Sequence, residues 1–343
     1  MNNMELTKND TKMLQGLSVI AMVCLHLFNR NYNDLYTPLL FINGVPVCFC
    51  LSQLSDFCVF GFAFCSGYAH MKLFEKNNYF KKRLKSLLIL MINFWLILFA
   101  SSIISILIGQ SDFMPGSIDK FLSTMFLYNV HYNGAWWYLW AYALLVLASP
   151  LVLTAVKKFS PVLTILISFL IYCIAFFVRY NMQTDNYFLL HFGPFGMTLF
   201  EYVVGAVIAK TLFFAKAKYL LRNTSSLLKC IAGCLLVLIL FFLRTFIIPN
   251  VFFAPFSGFI IIFLFSLWRK PKWIENVFLF VGNHSTNIWL THMFFISTQW
   301  IYFAKYPLLI FLLIMVITIL ISIAVSFVMG IVSKALNRAV QIK

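Results

Sequence analysis

Ten apolar runs, each long enough to cross a bilayer, recur along the 343 residues, broken by charged or Pro/Gly/Asn-containing stretches. They fall near 13–29, 54–72, 86–109, 135–156, 160–178, 194–215, 227–243, 252–268, 283–303 and 307–332. The first is short, with only 17 residues between Lys12 and Arg30, a rise of about 25 Å as a helix. Composition closes off a soluble fold. Charged residues are 10% of the chain against about 25% in an ordinary globular protein, and mean hydropathy is +0.91. The expectation is all-α: one polytopic transmembrane bundle of about ten helices, occupying 1–343 as a single domain. Segments 30–53 and 110–133 read as loops with partly embedded, amphipathic pieces.

The formal charge of +16, from 26 Lys and Arg against 10 Asp and Glu, could point to nucleic acid. Placing the N-terminus in the cytoplasm explains it otherwise. Five basic residues then lie outside (Arg30, Lys120, Arg179, Arg244 and Lys305) and the other 21 inside. The inside set includes the cluster from Lys72 to Lys85, the group from Lys210 to Lys229, and Lys334, Arg338 and Lys343 near the end. An error in helix count would scramble that alternation, so ten helices with both termini cytoplasmic follow from the positive-inside rule. No nucleic-acid partner is needed.

The eight cysteines sit mostly in apolar runs and form no CxxC or zinc-spaced Cys/His cluster. They read as small buried hydrophobes, with Cys48 and Cys50 the pair placed outside the hydrocarbon. The first apolar run has no A-x-A site after it and reads as a retained helix, not a cleaved signal. GxSxG, GxxxxGK[ST], HExxH and GxGxxG are all missing. ATP-driven transport and zinc hydrolysis therefore lack support, and no metal site is expected.

Polar residues inside hydrocarbon carry the most information. His26 falls in the outer third of the first helix, Asp56 near the outer end of the second, and Glu201 about seven residues inward from the outer end of the sixth. His292 falls near the middle of the ninth, which also carries Asn287 and Thr291. Trp136, Trp137, Tyr138 and Trp140 crowd the outer start of the fourth. An imidazole, two carboxylates and an aromatic wall can thus converge in the outer half. Simpler readings stand beside this one. The aromatic cluster also fits an interfacial belt, Asp56 also fits headgroup water, and His292 also fits a lone hydrogen bond between helices. His26 differs, because it is buried on a short helix without other metal ligands, which favours an acid/base or nucleophilic role.

Five segments, in order, resemble the acyltransferase 3 family of ten-helix membrane O-acyltransferases. Met13–His26 is similar to the family's opening helix, and Phe60-Gly-Phe-Ala-Phe-Cys-Ser-Gly-Tyr68 to its Phe-rich stretch. Phe80-Lys-Lys-Arg-Leu84 resembles the basic start of the third helix, and Gly134-Ala-Trp-Trp-Tyr-Leu-Trp140 the Trp-Phe/Tyr-Leu segment. Ser285-Thr-Asn-Ile-Trp-Leu-Thr-His292 is similar to the family's Ser-x-x-Ile-Tyr-Leu-x-His.

The resemblance implies a cell-membrane enzyme that moves a short acyl group, usually acetyl from acetyl-CoA, to a hydroxyl of a surface polysaccharide or lipid-linked sugar. No permanently bound cofactor is implied; the partners are membrane lipid, acyl-CoA and the glycan. His26 would be general base or acyl carrier, Asp56 or Glu201 would orient its ring, and His292 would share the proton path. Gln15, Ser66, Trp136, Trp137 and Asn287 become candidate substrate contacts, while Lys81, Lys82 and Arg83 would hold the phosphates of acetyl-CoA. The chain departs from the pattern at Gln15, where the family usually carries Arg or Lys eleven residues before the histidine; Lys12, one turn earlier, is the available substitute. The Trp136–Trp140 stretch lacks the acid of the Trp-Ser-Leu variants. The sequence ends soon after the tenth run, so no appended esterase-like domain is expected. The competing reading is a secondary transporter or flippase for a lipid-linked sugar, with the buried His and acids as a proton relay. Paired half-sequences with broken helices, common in transporters, are not visible.

Overall fold

Side-chain caps open several of the helices. Thr7 and Asp10 form a reciprocal capping box that opens α1 (Lys8–Phe28), several residues before the apolar run begins. Asn43 and Gly44, both at positive φ, turn a short antiparallel hairpin of β1 (Phe41–Ile42) and β2 (Val45–Pro46). The chain continues through α2 (Val47–Leu54), a 3-10 turn at Ser55–Phe57, and α3 (Cys58–Leu73). Next come α4 (Tyr79–Leu107), the amphipathic α5 (Ile118–Met125) and, after a 3-10 turn at Gly134–Trp136, α6 (Trp137–Lys158). Ser160 caps α7 (Pro161–Asn181), with proline in its first turn, and Asn186 caps α8 (Tyr187–Thr211). Then follow α9 (Phe213–Leu220), α10 (Ser226–Phe242) running into a π turn at Leu243–Ile247, and α11 (Ala254–Leu267). The last helices are α12 (Lys272–Thr291), α13 (Ile301–Ala304) and α14 (Pro307–Gln341). This structure, a computed structural model, describes residues 5–29, 35–183, 185–296 and 300–341; Arg30 and Lys343 lie outside them.

The protein is an all-α polytopic membrane bundle. Among the described residues, eight helical stretches are long and apolar enough to span. The remaining two apolar runs fall on the shorter Val251–Leu267 stretch and on α12, whose 20 residues include Lys272, Glu275, Asn276 and His284. Leu107, Leu151, Phe188 and Leu227 project from the bundle as large exposed apolar side chains, as lipid-facing positions must. Inside, two apolar cores meet along α1. One, around Val19, Phe94, Trp136, Ile288 and Ile310, joins it to α4, α12 and α14. The other, around Leu14, Phe60, Phe64, Phe214 and Ile262, joins it to α3, α9 and α11.

Three expectations need correction. The second span begins earlier: its helix starts at Val47, inside the segment read as a loop, and passes through a 3-10 turn at Ser55–Phe57 into α3. The run read as 283–303 is α12, which starts eleven residues earlier and ends at Thr291, so His292 lies at a helix end and not mid-helix. Hydropathy missed both limits because polar first turns and unwound last turns look alike to a sliding window. Cys230 and Cys234 are exposed on α10, not buried.

Candidate active site

Two glycines set the site. A Cβ on Gly16 would strike the Phe278 carbonyl, and one on Gly282 would strike that of Lys12. Helices α1 and α12 therefore touch backbone to backbone, an approach that glycine permits. They run parallel: Gly16 meets Gly282 and, ten residues further along each helix, His26 meets His292. The same offset of 266 residues joins both pairs. The glycine contact thus fixes the axial register that brings the imidazoles together.

His26 Nδ1 lies 2.6 Å from His292 Nε2. The rings are within 9° of parallel with centroids 4.9 Å apart, so they meet edge to edge, because face-to-face rings could not combine that separation with so short an N···N contact. His292 is fully buried, and its Nδ1 lies 2.9 Å from the Trp289 carbonyl and 3.2 Å from that of Ile288. Carbonyls only accept, so His292 Nδ1 carries the proton and its Nε2 presents a lone pair. His26 Nδ1 must then be the donor to that lone pair. The neutral tautomer of His26 that results has its one basic lone pair on Nε2, where it can act as a general base. A proton gained there makes an imidazolium whose Nδ1–H already points at an acceptor. This is the logic of a triad with imidazole in place of the carboxylate.

The end of α12 is held by the turn before α6. Asn133 Nδ2 and Trp136 Nε1 both donate to the Leu290 carbonyl, at 3.0 and 2.9 Å, and Trp289 Nε1 returns a bond of 3.0 Å to the Ala135 carbonyl. Carbonyls released where a helix unwinds need partners in an apolar interior. Two of these bonds supply the Leu290 carbonyl, and all three fix the backbone next to His292.

A family model described as an acyltransferase domain, Acyl_transf_3, matches residues 11–327, a span that contains both histidines. The chain belongs to the acyltransferase 3 family. No curated protein and no solved structure matches it significantly. It is thus a multi-pass membrane acyltransferase.

The other candidate residues of this acyltransferase divide by position. Gln15 and Lys12 come together: Lys12 Nζ donates to Gln15 Oε1 at 3.0 Å and to the Gly282 carbonyl at 3.3 Å. A positive charge therefore sits beside the position where the family usually has its own. Asp56 is buried against Arg244, whose guanidinium also donates to the carbonyls of Ile248 and Asn250. The ring nitrogen of His26 facing the core meets His292, and Asp56 gives its carboxylate to an arginine. Glu201 is 4% exposed on α8, and its Oε2 has no partner among the described residues. Ser66 donates to the Phe62 carbonyl one turn back, at 2.9 Å.

Trp136 is fully buried, edge-on to Phe94 and Phe294. The structure therefore uses it as a wedge against α12, and no ring face is left to serve as a sugar platform. Trp137 is half-buried with the Arg179 guanidinium 4.5 Å above its ring. Asn287 Oδ1 accepts from Asn93 Nδ2 at 2.7 Å. In the first turn of α4, Lys81 and Lys82 are exposed. Arg83 turns inward, with Nε buried and its charge close enough to act on His70, Tyr79 and Tyr202. Beyond the membrane-spanning segments, Lys157 bonds Glu75 at 2.5 Å and holds its carboxyl below the usual carboxylate range. Asn133 and Asn93 were not singled out in the sequence, Trp289 appeared only inside a quoted motif, and Arg244 only as an outer basic residue. Asn133 alone carried a signal, a polar residue directly before the aromatic motif.

The register makes a prediction. Gly282→Leu should force α1 away from α12, stretch the histidine contact and cut acyl transfer more than tenfold, while overpacking costs about 1–3 kcal/mol of stability. Activity assayed on the variant in detergent, alongside its thermal midpoint, checks this. Wild-type turnover in Gly282→Leu would separate the glycine contact from the chemistry.

Proposed function

We propose that the protein transfers acetyl from acetyl-CoA to a hydroxyl of a cell-surface polysaccharide or lipid-linked sugar, with His26 as general base. Its Nε2 takes the hydroxyl proton as the oxygen attacks the thioester carbonyl. The tetrahedral intermediate collapses with cleavage of the C–S bond, a new ester forms, and CoA leaves as thiolate. The imidazolium then returns its proton to the sulfur. His292 steadies the charged state by accepting from Nδ1–H throughout. One observation carries the reading: the hydrogen-bond chain from the Trp289 carbonyl through His292 to His26, which leaves the basic lone pair on His26 Nε2.

The exposed Lys81 and Lys82 and the inward-turned Arg83 suit the phosphates of CoA at the cytoplasmic face. Lys12, held against Gln15 on α1, adds charge on the path towards His26. The purified protein, given acetyl-CoA labelled in the acetyl group and a lipid-linked glycan, should place label on the glycan in alkali-labile ester linkage and release one CoA per ester. Movement of the glycan across vesicles without consumption of acetyl-CoA would replace this reading with the transporter one.

A further inference from the structure

Two segments continue from the helix ends that carry the histidines. After α1, Tyr36 packs edge-on to Phe28, two residues past His26, with ring centroids 5.2 Å apart, and the chain enters the β1–β2 hairpin. After His292, the Trp300 indole donates back to the Phe295 carbonyl, and α13 follows. The Thr37 N–H joins the two segments by donating to the Lys305 carbonyl at 2.9 Å. Hairpin and α13 thus form one rim, fastened on one side to the helix of His26 and on the other to the turn of His292. The rim is apolar outwards. Leu39, Leu40 and Phe41 project from the hairpin, and Tyr302 and Phe303, 86% and 80% exposed, project from α13. In water such a patch would be a liability. On α14 the pattern continues: Leu309, Leu312, Val316, Leu320 and Phe327 are exposed at helical spacing, a lipid-facing stripe about 27 Å long. Ile310 and Ile314, on the opposite face, are buried in the core shared with Val19 and Ile288.

Lys305 sits where rim and stripe meet. Charge alternation assigns five basic residues to the outer side, and the other described ones are engaged. Lys120 donates to the Phe113 carbonyl at 2.7 Å, Arg179 lies over the Trp137 ring, and Arg244 is paired with Asp56. Lys305 is exposed, with neither an ion pair nor a hydrogen bond among the described residues; its Nζ lies 6.0 Å from the Tyr306 ring centroid. A free ammonium at the head of an apolar stripe suits an acidic head group on a long hydrocarbon tail. The position beside the dyad narrows the choice further. A saccharide carried on an isoprenoid pyrophosphate presents, in order, a tail for the stripe, a diphosphate for Lys305 and a hydroxyl for His26.

We propose that this rim takes the acceptor sideways from the outer leaflet as a polyprenyl-pyrophosphate-linked saccharide, with the isoprenoid against Leu40, Phe303 and the α14 stripe and the diphosphate on Lys305. The inference rests on the acyl-transfer reading above and chooses between its two acceptors: the lipid-linked sugar, not the finished polysaccharide.

Binding to the full chain in phosphatidylethanolamine nanodiscs tests it, with polyprenyl pyrophosphate, polyprenol and inorganic pyrophosphate as probes. Polyprenyl pyrophosphate should bind more tightly than either half alone. Lys305→Gln should weaken it about tenfold and leave polyprenol unchanged, and the difference should shrink as salt rises. Leu40→Ser combined with Phe303→Ser, both at exposed positions whose truncation opens no cavity, should weaken polyprenyl pyrophosphate and polyprenol alike by about tenfold. Acetyl-CoA binding should stay at wild type in every variant. Displacement of polyprenyl pyrophosphate by an equal concentration of phosphatidylglycerol would overturn the inference, because the rim would then hold ordinary anionic lipid. Unchanged affinity in the variants, or a matching loss of acetyl-CoA binding, would overturn it too. The acyl-transfer reading fails separately. Wild-type protein that binds polyprenyl pyrophosphate through this rim yet esterifies no glycan keeps the rim and loses the glycan acceptor proposed above. Transfer to a water-soluble glycan with polyprenyl pyrophosphate unbound does the reverse.

Discussion

His26→Ala is expected to lower acyl transfer by about 10²–10⁴-fold, the usual contribution of a general base, with CoA binding and folding near wild type. The side chain is only half-buried at the end of α1, so its loss leaves no large cavity. His26→Gln should fail as well: an amide keeps donors and an acceptor but takes no proton at neutral pH. His292→Ala should also reduce turnover, through a different cause. Without His292 Nε2 the His26 Nδ1–H loses that acceptor, and the tautomer with the proton on Nε2 offers the hydroxyl no lone pair there. Turnover number should fall while KM for acetyl-CoA stays, because the partner histidine acts only as charge develops. Rapid-quench labelling would separate base from acyl carrier: a covalent acetyl adduct on His26 would replace the direct attack proposed above. Full activity of His26→Ala in folded protein would remove the dyad from the chemistry.

Much of the architecture was legible because long apolar runs report membrane-spanning helices directly. Their limits were not. The polar start of α12, from Lys272 to Asn276, and its end at Thr291 follow from which backbone carbonyls find partners, and a composition window does not see that. Both histidines stood out as polar residues in apolar runs, but nothing in the chain pairs positions 26 and 292; the Gly16–Gly282 contact does. Trp136 looked like a sugar platform because aromatic residues at a membrane boundary serve both as platforms and as wedges, and only the bond from its indole to the Leu290 carbonyl separates the roles. Asp56 and Arg244 are 188 residues apart. Charge counting placed Arg244 outside, and depth placed Asp56 at an outer helix end, with no sign that the two neutralise each other.

That pair makes the largest stability prediction. The Asp56 and Arg244 side chains are 8% and 4% exposed, and removing one partner of a buried ion pair typically costs about 3–5 kcal/mol, since the other charge is left uncompensated. Arg244→Met should therefore lower the thermal midpoint in detergent more than any surface substitution. It also frees the carbonyls of Ile248 and Asn250 that close the π turn after α10. Asp56→Asn in the Arg244→Met background should restore part of the loss, because a neutral amide no longer strands a carboxylate. The same double variant decides what Asp56 does. If the carboxylate only anchors the 3-10 turn between α2 and α3 to the end of α10, the restored protein should keep most of its acyl-transfer activity, since the His26–His292 contact does not pass through it. If the double variant is folded yet loses turnover by orders of magnitude, Asp56 belongs to the reaction and the histidine dyad is incomplete without it.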